Sequence, residues 1–248
     1  MSPHSVLGLF GKLPWEGDFI QLGLPGRFVR PWDAWLSNAL ATSRDTLGAG
    51  WADAYLLSPP WHFLIEPGII GNSGWTGVLV SSIDRVQRYF PLTLALELPG
   101  EEADFPRPLD LKPLLAMLET AALDLIATQQ PVEAMLTQTG RQTEEAIAAI
   151  AASRPRTFTL LAERPSLARL VVGPAGAEAP LPALDDRDGQ SSESSSWWHD
   201  RWNQHAPAAV RCQGLPSPGA FAGFLDGDWQ RHGWSPHGWH PSGGGPQP

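Results

Sequence analysis

The sequence predicts a layered α/β sandwich around a mixed, largely antiparallel sheet. Three observations carry this expectation. Gly and Pro contribute 25 residues each, while charged residues make up only 17% of the 248, a composition of many turns and short elements. WHFLIEPG, GVLVSSID and FPLTLALEL follow one another closely, and each is rich in β-branched, aromatic or aliphatic residues bounded by Gly and Pro. Their short separations favour antiparallel pairing, because a parallel pair needs a crossover of a dozen or more residues. Segments with helical spacing lie before and after them, which places helices on both sides of the sheet.

Taken in chain order, SVLGLF reads as a short buried strand running into the loop FGKLPWEGDF. Phe28, Trp32, Trp35, Leu36, Ala39, Leu40 and Leu47 then recur at helical spacing. Pro31 is tolerated only in a first turn, so the helix is expected over 31–47 with Gly48 and Gly50 as stops. WADAYLLS is a shorter helical patch ending at Pro59 and Pro60. After the three strands, Asp110 is the expected N-cap of a helix whose stripe is Leu111, Leu114, Leu115, Leu118, Ala122, Leu125 and Ile126. TEEAIAAIAAS is a further helix, and TFTLLAE and LARLVVG are strand-like. Residues 174–196 turn to Pro, Ala, Asp and Ser and read as a mobile surface loop. SSWWHD, a strand AAVRCQG and a helix over 216–225 return the chain to the fold. A single domain over 1–227 is expected. Residues 228–248, with the imperfect repeat HGWSP and HGWHP, are expected to be a disordered tail.

The net charge of −9 argues against a nucleic-acid partner, which calls for a basic face. A single cysteine, Cys212, leaves no internal disulfide and fits a reducing compartment. The N-terminus lacks the basic and apolar regions of a secretory signal, and no run approaches the ~18 apolar residues of a membrane span. A cytoplasmic protein without membrane insertion is therefore expected.

Two segments mix charge with strand-like apolar sequence. In the first, Gly11 and Lys12 invite a phosphate-loop reading, but Val6 and Leu13 stand where that motif needs Gly and Ser or Thr. A built corner explains the loop better: Gly11 and Gly17 admit positive φ, Pro14 stiffens the turn, Trp15 and Phe19 pack at its base, and Asp18 accepts backbone N–H bonds. In the second, SSIDRVQRYFPLTL, Asp84 and Arg88 are placed to form a charge-assisted pair that closes a turn. The competing reading is an edge that binds an anion or a partner through Arg.

Other chemistries find little support. GxSxG, HExxH and paired CxxC motifs are absent from the sequence. Cys212 with His199 and His205 is a conceivable nucleophile pair, but a structural cysteine is much commoner. DDRDG fails as a calcium loop, with Leu184 and Ser195 at ligand positions. Neither a cofactor nor a metal is expected; His232, His237 and His240 sit in a Gly-rich tail whose ordering would weaken any site.

The succession FGKLPWEGDFI, RFVRPWDAWL, SIDRVQRYFPLTLALEL and SSSWWHD followed by QGLPSPGAFAGFLDG resembles the TagF (ImpM) family of type VI secretion-associated proteins, over about residues 6–227. The resemblance implies a non-enzymatic cytoplasmic accessory factor, a post-translational repressor that acts on a forkhead-associated scaffold protein. It marks two blocks as candidate partner-binding positions: Gly11, Lys12, Pro14, Gly17 and Asp18, then Ser82, Asp84, Arg88, Phe90 and Pro91. Lys12 and Asp18 are expected to be displayed for the partner. The alternative is a phosphate-binding or phosphohydrolase-like enzyme using Asp18, Asp84 and Arg88.

Overall fold

A computed structural model describes residues 7–98, 106–152, 168–172, 193–235 and 238–239. The elements in chain order are β1 (Leu7–Gly11), β2 (Ile20–Leu22), α1 (Gly26–Leu47), α2 (Trp51–Leu57), β3 (Trp61–Ile65), β4 (Gly74–Val80) and β5 (Leu92–Leu98). There follow α3 (Pro108–Thr128), α4 (Val132–Ala152), β6 (Ala168–Val172), β7 (Ser194–His199), β8 (Ala208–Gln213), α5 (Ala222–Asp226), β9 (Trp234–Ser235) and β10 (Gly238–Trp239). Eight strands form one sheet in the order β2-β1-β5-β4-β3-β7-β8-β6. Every pairing among the described strands is antiparallel, so the mixed character expected of the sheet reduces to an antiparallel one.

Helices cover both faces, and the pleat sorts the side chains between them. Trp61, Phe63 and Ile65 of β3, Trp75 and Leu79 of β4 and Trp197 of β7 join the cluster that α1, α2 and α5 bury. Leu64, Val78, Leu92, Leu94, Leu96 and Trp198, from alternate positions, join the cluster under α3 and α4. With neither face wet, the central strands need no polar alternation, which is why LTLALEL reads as a continuous apolar run.

Several boundaries differ from the sequence expectation. α1 starts at Gly26, leaving Pro31 inside the helix. Phe28 explains the early start: its ring packs on Trp75 at 4.4 Å and Trp32 at 5.2 Å, so packing overrides the proline signal. Asp110 is not the N-cap of α3. Arg107 is, and Asp110 reaches back from the third helical position to the Arg107 N–H at 3.2 Å, one arm of a capping box. α4 extends over 132–152 rather than 143–153. The strand expected at TFTLLAE lies outside the described residues, as does most of the 174–196 loop; its last three residues already belong to β7, where Ser194 donates N–H and O–H bonds to Glu66 at 3.2 and 2.8 Å.

Disorder after Gly227 does not hold for residues 228–235. Trp229, His232 and Trp234 are buried, Trp234 Nε1 donates to the Ala220 carbonyl at 3.0 Å, and His232 Nε2 meets Asp226 Oδ2 at 2.7 Å. Gly-rich composition pointed to a tail, but the two indoles had an apolar surface to cover, the Phe224 ring among it. Deleting everything after Gly227 is accordingly expected to cost on the order of 3 kcal/mol, read as a clear fall in melting temperature. An unchanged transition would show that these indoles do not close the core.

Candidate functional site

The two charged segments meet at one end of the sheet. β1 and the start of β5 run antiparallel, with Phe10 opposite Thr93, so the loop leaving β1 lies beside the one entering β5. Gly11, at φ +141°, makes this approach possible: a Cβ there would stand 2.1 Å from the Pro91 carbonyl oxygen, a distance no side chain tolerates. Gly17 has no positive φ among the described glycines. Its role is space, since a Cβ would come within 3.1 Å of the Arg85 guanidinium.

Asp84 is the centre of the corner and is wholly buried. Oδ2 accepts from Lys12 Nζ at 2.7 Å and Arg88 Nε at 2.6 Å. Oδ1 accepts from the Val86 and Arg88 backbone N–H groups at 3.0 and 2.8 Å. Burial pushes the Asp84 pKa up, but the Lys12 ammonium, the two backbone N–H groups and the Arg88 guanidinium outweigh it and hold the carboxyl well below the usual carboxylate range. The surrounding backbone is stitched in register. Gln87 N–H reaches the Asp84 carbonyl at 3.0 Å with Gln87 at φ +64°, Asp84 N–H reaches the Arg88 carbonyl at 3.0 Å, and Arg85 N–H reaches the Glu16 carbonyl at 2.9 Å. The Arg88 guanidinium also donates to the Gly17 carbonyl.

A second layer lies beneath. Ser82 Oγ donates to the Lys12 carbonyl at 2.8 Å. Tyr55 of α2 donates its hydroxyl proton to the Ser82 carbonyl at 2.7 Å and accepts from Ser82 N–H at 3.1 Å. Burial raises the Tyr55 pKa far above the phenol range, so it stays a donor. Phe10, Phe19 and Phe90 form a ring cluster with centroids 4.7–5.7 Å apart, and Lys12 Nζ stands 4.9 Å from the Phe19 centroid.

Several expectations for these residues change. The Asp84–Arg88 pair closes its turn as the spacing suggested. Lys12, expected on display, is 4% exposed and points inward; its partner lies 72 positions away, beyond reach of any local pattern. Gly11, Ser82, Phe90 and Pro91 are buried too, and Pro14 is half-buried. Asp18 is exposed and accepts from the Phe19 N–H at 2.8 Å. The surface of the corner is instead Phe19 at 44% and Val86 at 59% exposure, with Arg85 and Arg88 around them. Phe19 packs on Phe10 and Phe90 at the base of the loop, as its sequence suggests, yet leaves part of its ring exposed; Val86 carries no sequence signal.

The phosphohydrolase alternative gains nothing from this geometry. Four donors occupy the Asp84 carboxylate, so no lone pair is free to act as base or nucleophile. Burial pushes the Cys212 thiol up to about 11, only partly offset by Ser195, which leaves it protonated and unreactive at neutral pH. Among the described residues no three His, Cys, Asp or Glu side chains stand close enough to hold a metal ion, and no helix is long and apolar enough to cross a membrane.

An antiparallel sheet clad on both faces, with its buried charges spent on fastening two loops, defines a scaffold whose distinctive surface is a loop corner. The chain belongs to the TagF family: residues 8–141 match the family described as the TagF N-terminal domain, type VI secretion system-associated. The crystal structure of PA0076 from Pseudomonas aeruginosa PAO1 is 34% identical, with a TM-score of 0.61 over 90% of this chain and 94% of that one. No curated protein matches significantly.

Proposed function

We propose that this protein is a cytoplasmic, non-enzymatic regulator of a type VI secretion system, acting as a repressor that binds a forkhead-associated scaffold protein through the corner of residues 12–19 and 81–91. The observation that carries this reading is the division of labour at that corner. Lys12, Asp84 and Ser82 are consumed internally, while Phe19 and Val86 stand out over a framework that cannot collapse. Fixed apolar side chains ringed by Arg are the usual anchors of a recognition surface. The order of the family blocks supports the partner, and the absence of a free nucleophile at the corner supports a role without turnover.

The test is binding of the full chain to the forkhead-associated protein of its own secretion cluster. Phe19→Ala combined with Val86→Asp is expected to weaken the complex by roughly tenfold or more. Val86→Asp alone, at a side chain 59% exposed, is expected to weaken it without shifting the melting temperature, whereas Phe19→Ala also removes ring contacts with Phe10 and Phe90. Failure of the wild-type chain to form a complex would reject the partner. An unaltered affinity in the double variant would reject the surface.

A further inference from the structure

A separate cavity of about 220 Å³ lies between the end of β7 and α5. Three aromatic side chains, Trp61, Phe224 and Trp229, form much of its wall, with His199, His205 and Asp226 completing it. Trp61 packs edge-to-face on His199 at 4.5 Å and against Phe224 at 4.6 Å.

Both imidazoles are buried and incompletely bonded. His199 Nδ1 is 2.6 Å from the Asp200 carbonyl, which can only accept, so the proton sits on Nδ1 and Nε2 keeps a bare lone pair. That lone pair has no partner among the described residues. His205 is 8% exposed, and neither of its ring nitrogens is hydrogen-bonded among them. The two rings stand 6.4 Å apart, nearly perpendicular. Burial lowers both pKa values, that of His199 to about 4, so each ring is neutral at physiological pH and offers an acceptor. Asp226 accepts from the Asp228 N–H at 2.9 Å and contacts His232 at 2.7 Å, bringing a carboxylate to the same wall.

These ring nitrogens, without a partner among the described residues and lining the cavity, can accept from a donor placed in it. Acceptors beside a carboxylate disfavour an anion and suit a cation, and Trp and Phe are the side chains that supply cation–π contacts where a ring face is open. A metal ion is disfavoured because no group of three His, Cys, Asp or Glu side chains that could hold one exists among the described residues. We propose that this cavity binds an organic cation, a primary ammonium or guanidinium group, with His199 Nε2 and His205 accepting its N–H bonds and Asp226 supplying the counter-charge. The group comes either from a free amine or from a Lys or Arg side chain of a polypeptide.

The test uses the full chain, following the histidine side-chain nitrogens by NMR. Butylammonium chloride and a lysine-containing tripeptide are the probes; sodium chloride, 1-butanol and zinc chloride are the controls. Saturable shifts of His199 and His205 are expected with at least one probe and with neither sodium chloride nor butanol. Tighter binding of butylammonium would assign the ligand to free amines, and tighter binding of the tripeptide to a polypeptide; both uphold the site. Asp226→Asn is expected to weaken binding roughly tenfold, and His205→Leu to remove it. The wild-type titration decides the matter even if a variant fails to fold. Absence of saturation, an equal response to butanol, or saturable zinc binding at both rings would overturn the proposal.

Discussion

Replacing Trp32 by Ala is expected to lower the unfolding free energy by roughly 4 kcal/mol. Its indole is wholly buried. Trp35 and Phe63 each lie 4.9 Å away between centroids, Phe28 lies at 5.2 Å, and the Trp197 ring is parallel at 6.0 Å. Removal therefore opens a large hole where α1 meets β3, β5 and β7. It also deprives Thr93 Oγ1 of the indole N–H it receives at 2.9 Å, leaving a buried hydroxyl with one partner fewer. In a chain of this length such a loss corresponds to a fall of roughly 10 °C in Tm. Trp32→Phe keeps most of the volume and should fall between the two. A melting temperature unmoved in the Ala variant would mean that α1 does not face the sheet through this ring.

Stability should also fall by about 3 kcal/mol as pH drops from 6.5 to 4, with His199 as a principal cause. Burial takes the His199 pKa from its ordinary 6.5 down to about 4, against the opposing pull of the Asp200 carbonyl. Nearby His205 and His62 push it the same way as burial, while the Asp200 carboxylate pushes back. A depressed histidine pKa means that the unfolded chain binds the proton more readily. The contribution is thus complete above the unfolded value and disappears as pH falls through the folded one. His205, also lowered by burial with Asp226 opposing, adds in the same direction. Denaturant titrations at pH 7, 5.5 and 4.5 measure the effect, and His199→Gln should flatten it. Equal stability across that range, or an undiminished slope in the variant, would assign the sensitivity elsewhere.

The residues that advertised themselves in sequence were those whose partners are local or whose burial is two-sided. β3, β4 and β5 were legible because both faces are covered, which forces nearly unbroken apolar runs between Gly and Pro punctuation. Asp84 and Arg88 were legible as a turn-closing pair because they lie four positions apart. Lys12 was not, because its inward course depends on a carboxylate supplied by the following hairpin. Phe28 moved the start of α1 ahead of Pro31 through a contact with Trp75, which no window along the helix contains. The imidazole cavity was invisible for the same reason: its walls come from β3, β7, the segment after β7 and α5, and converge only in the fold. Trp229 and Trp234 were hidden by Gly-rich surroundings whose composition outweighed their need for cover.

The strand order has a consequence for dividing this chain. The stretch matched to the family ends at residue 141, partway along α4, and supplies β1 to β5. The remaining three strands of the large sheet join it through a single seam, β3 beside β7, while Trp35 of α1 donates its indole N–H to the Pro216 carbonyl at 2.7 Å. A fragment ending at 141 would lack β7 and leave an open edge at β3, where four residues, His62 to Ile65, lose the partners they have in β7, and such an edge invites swapping or fibrils. Exchange between relatives is safer when β3 and β7 travel together.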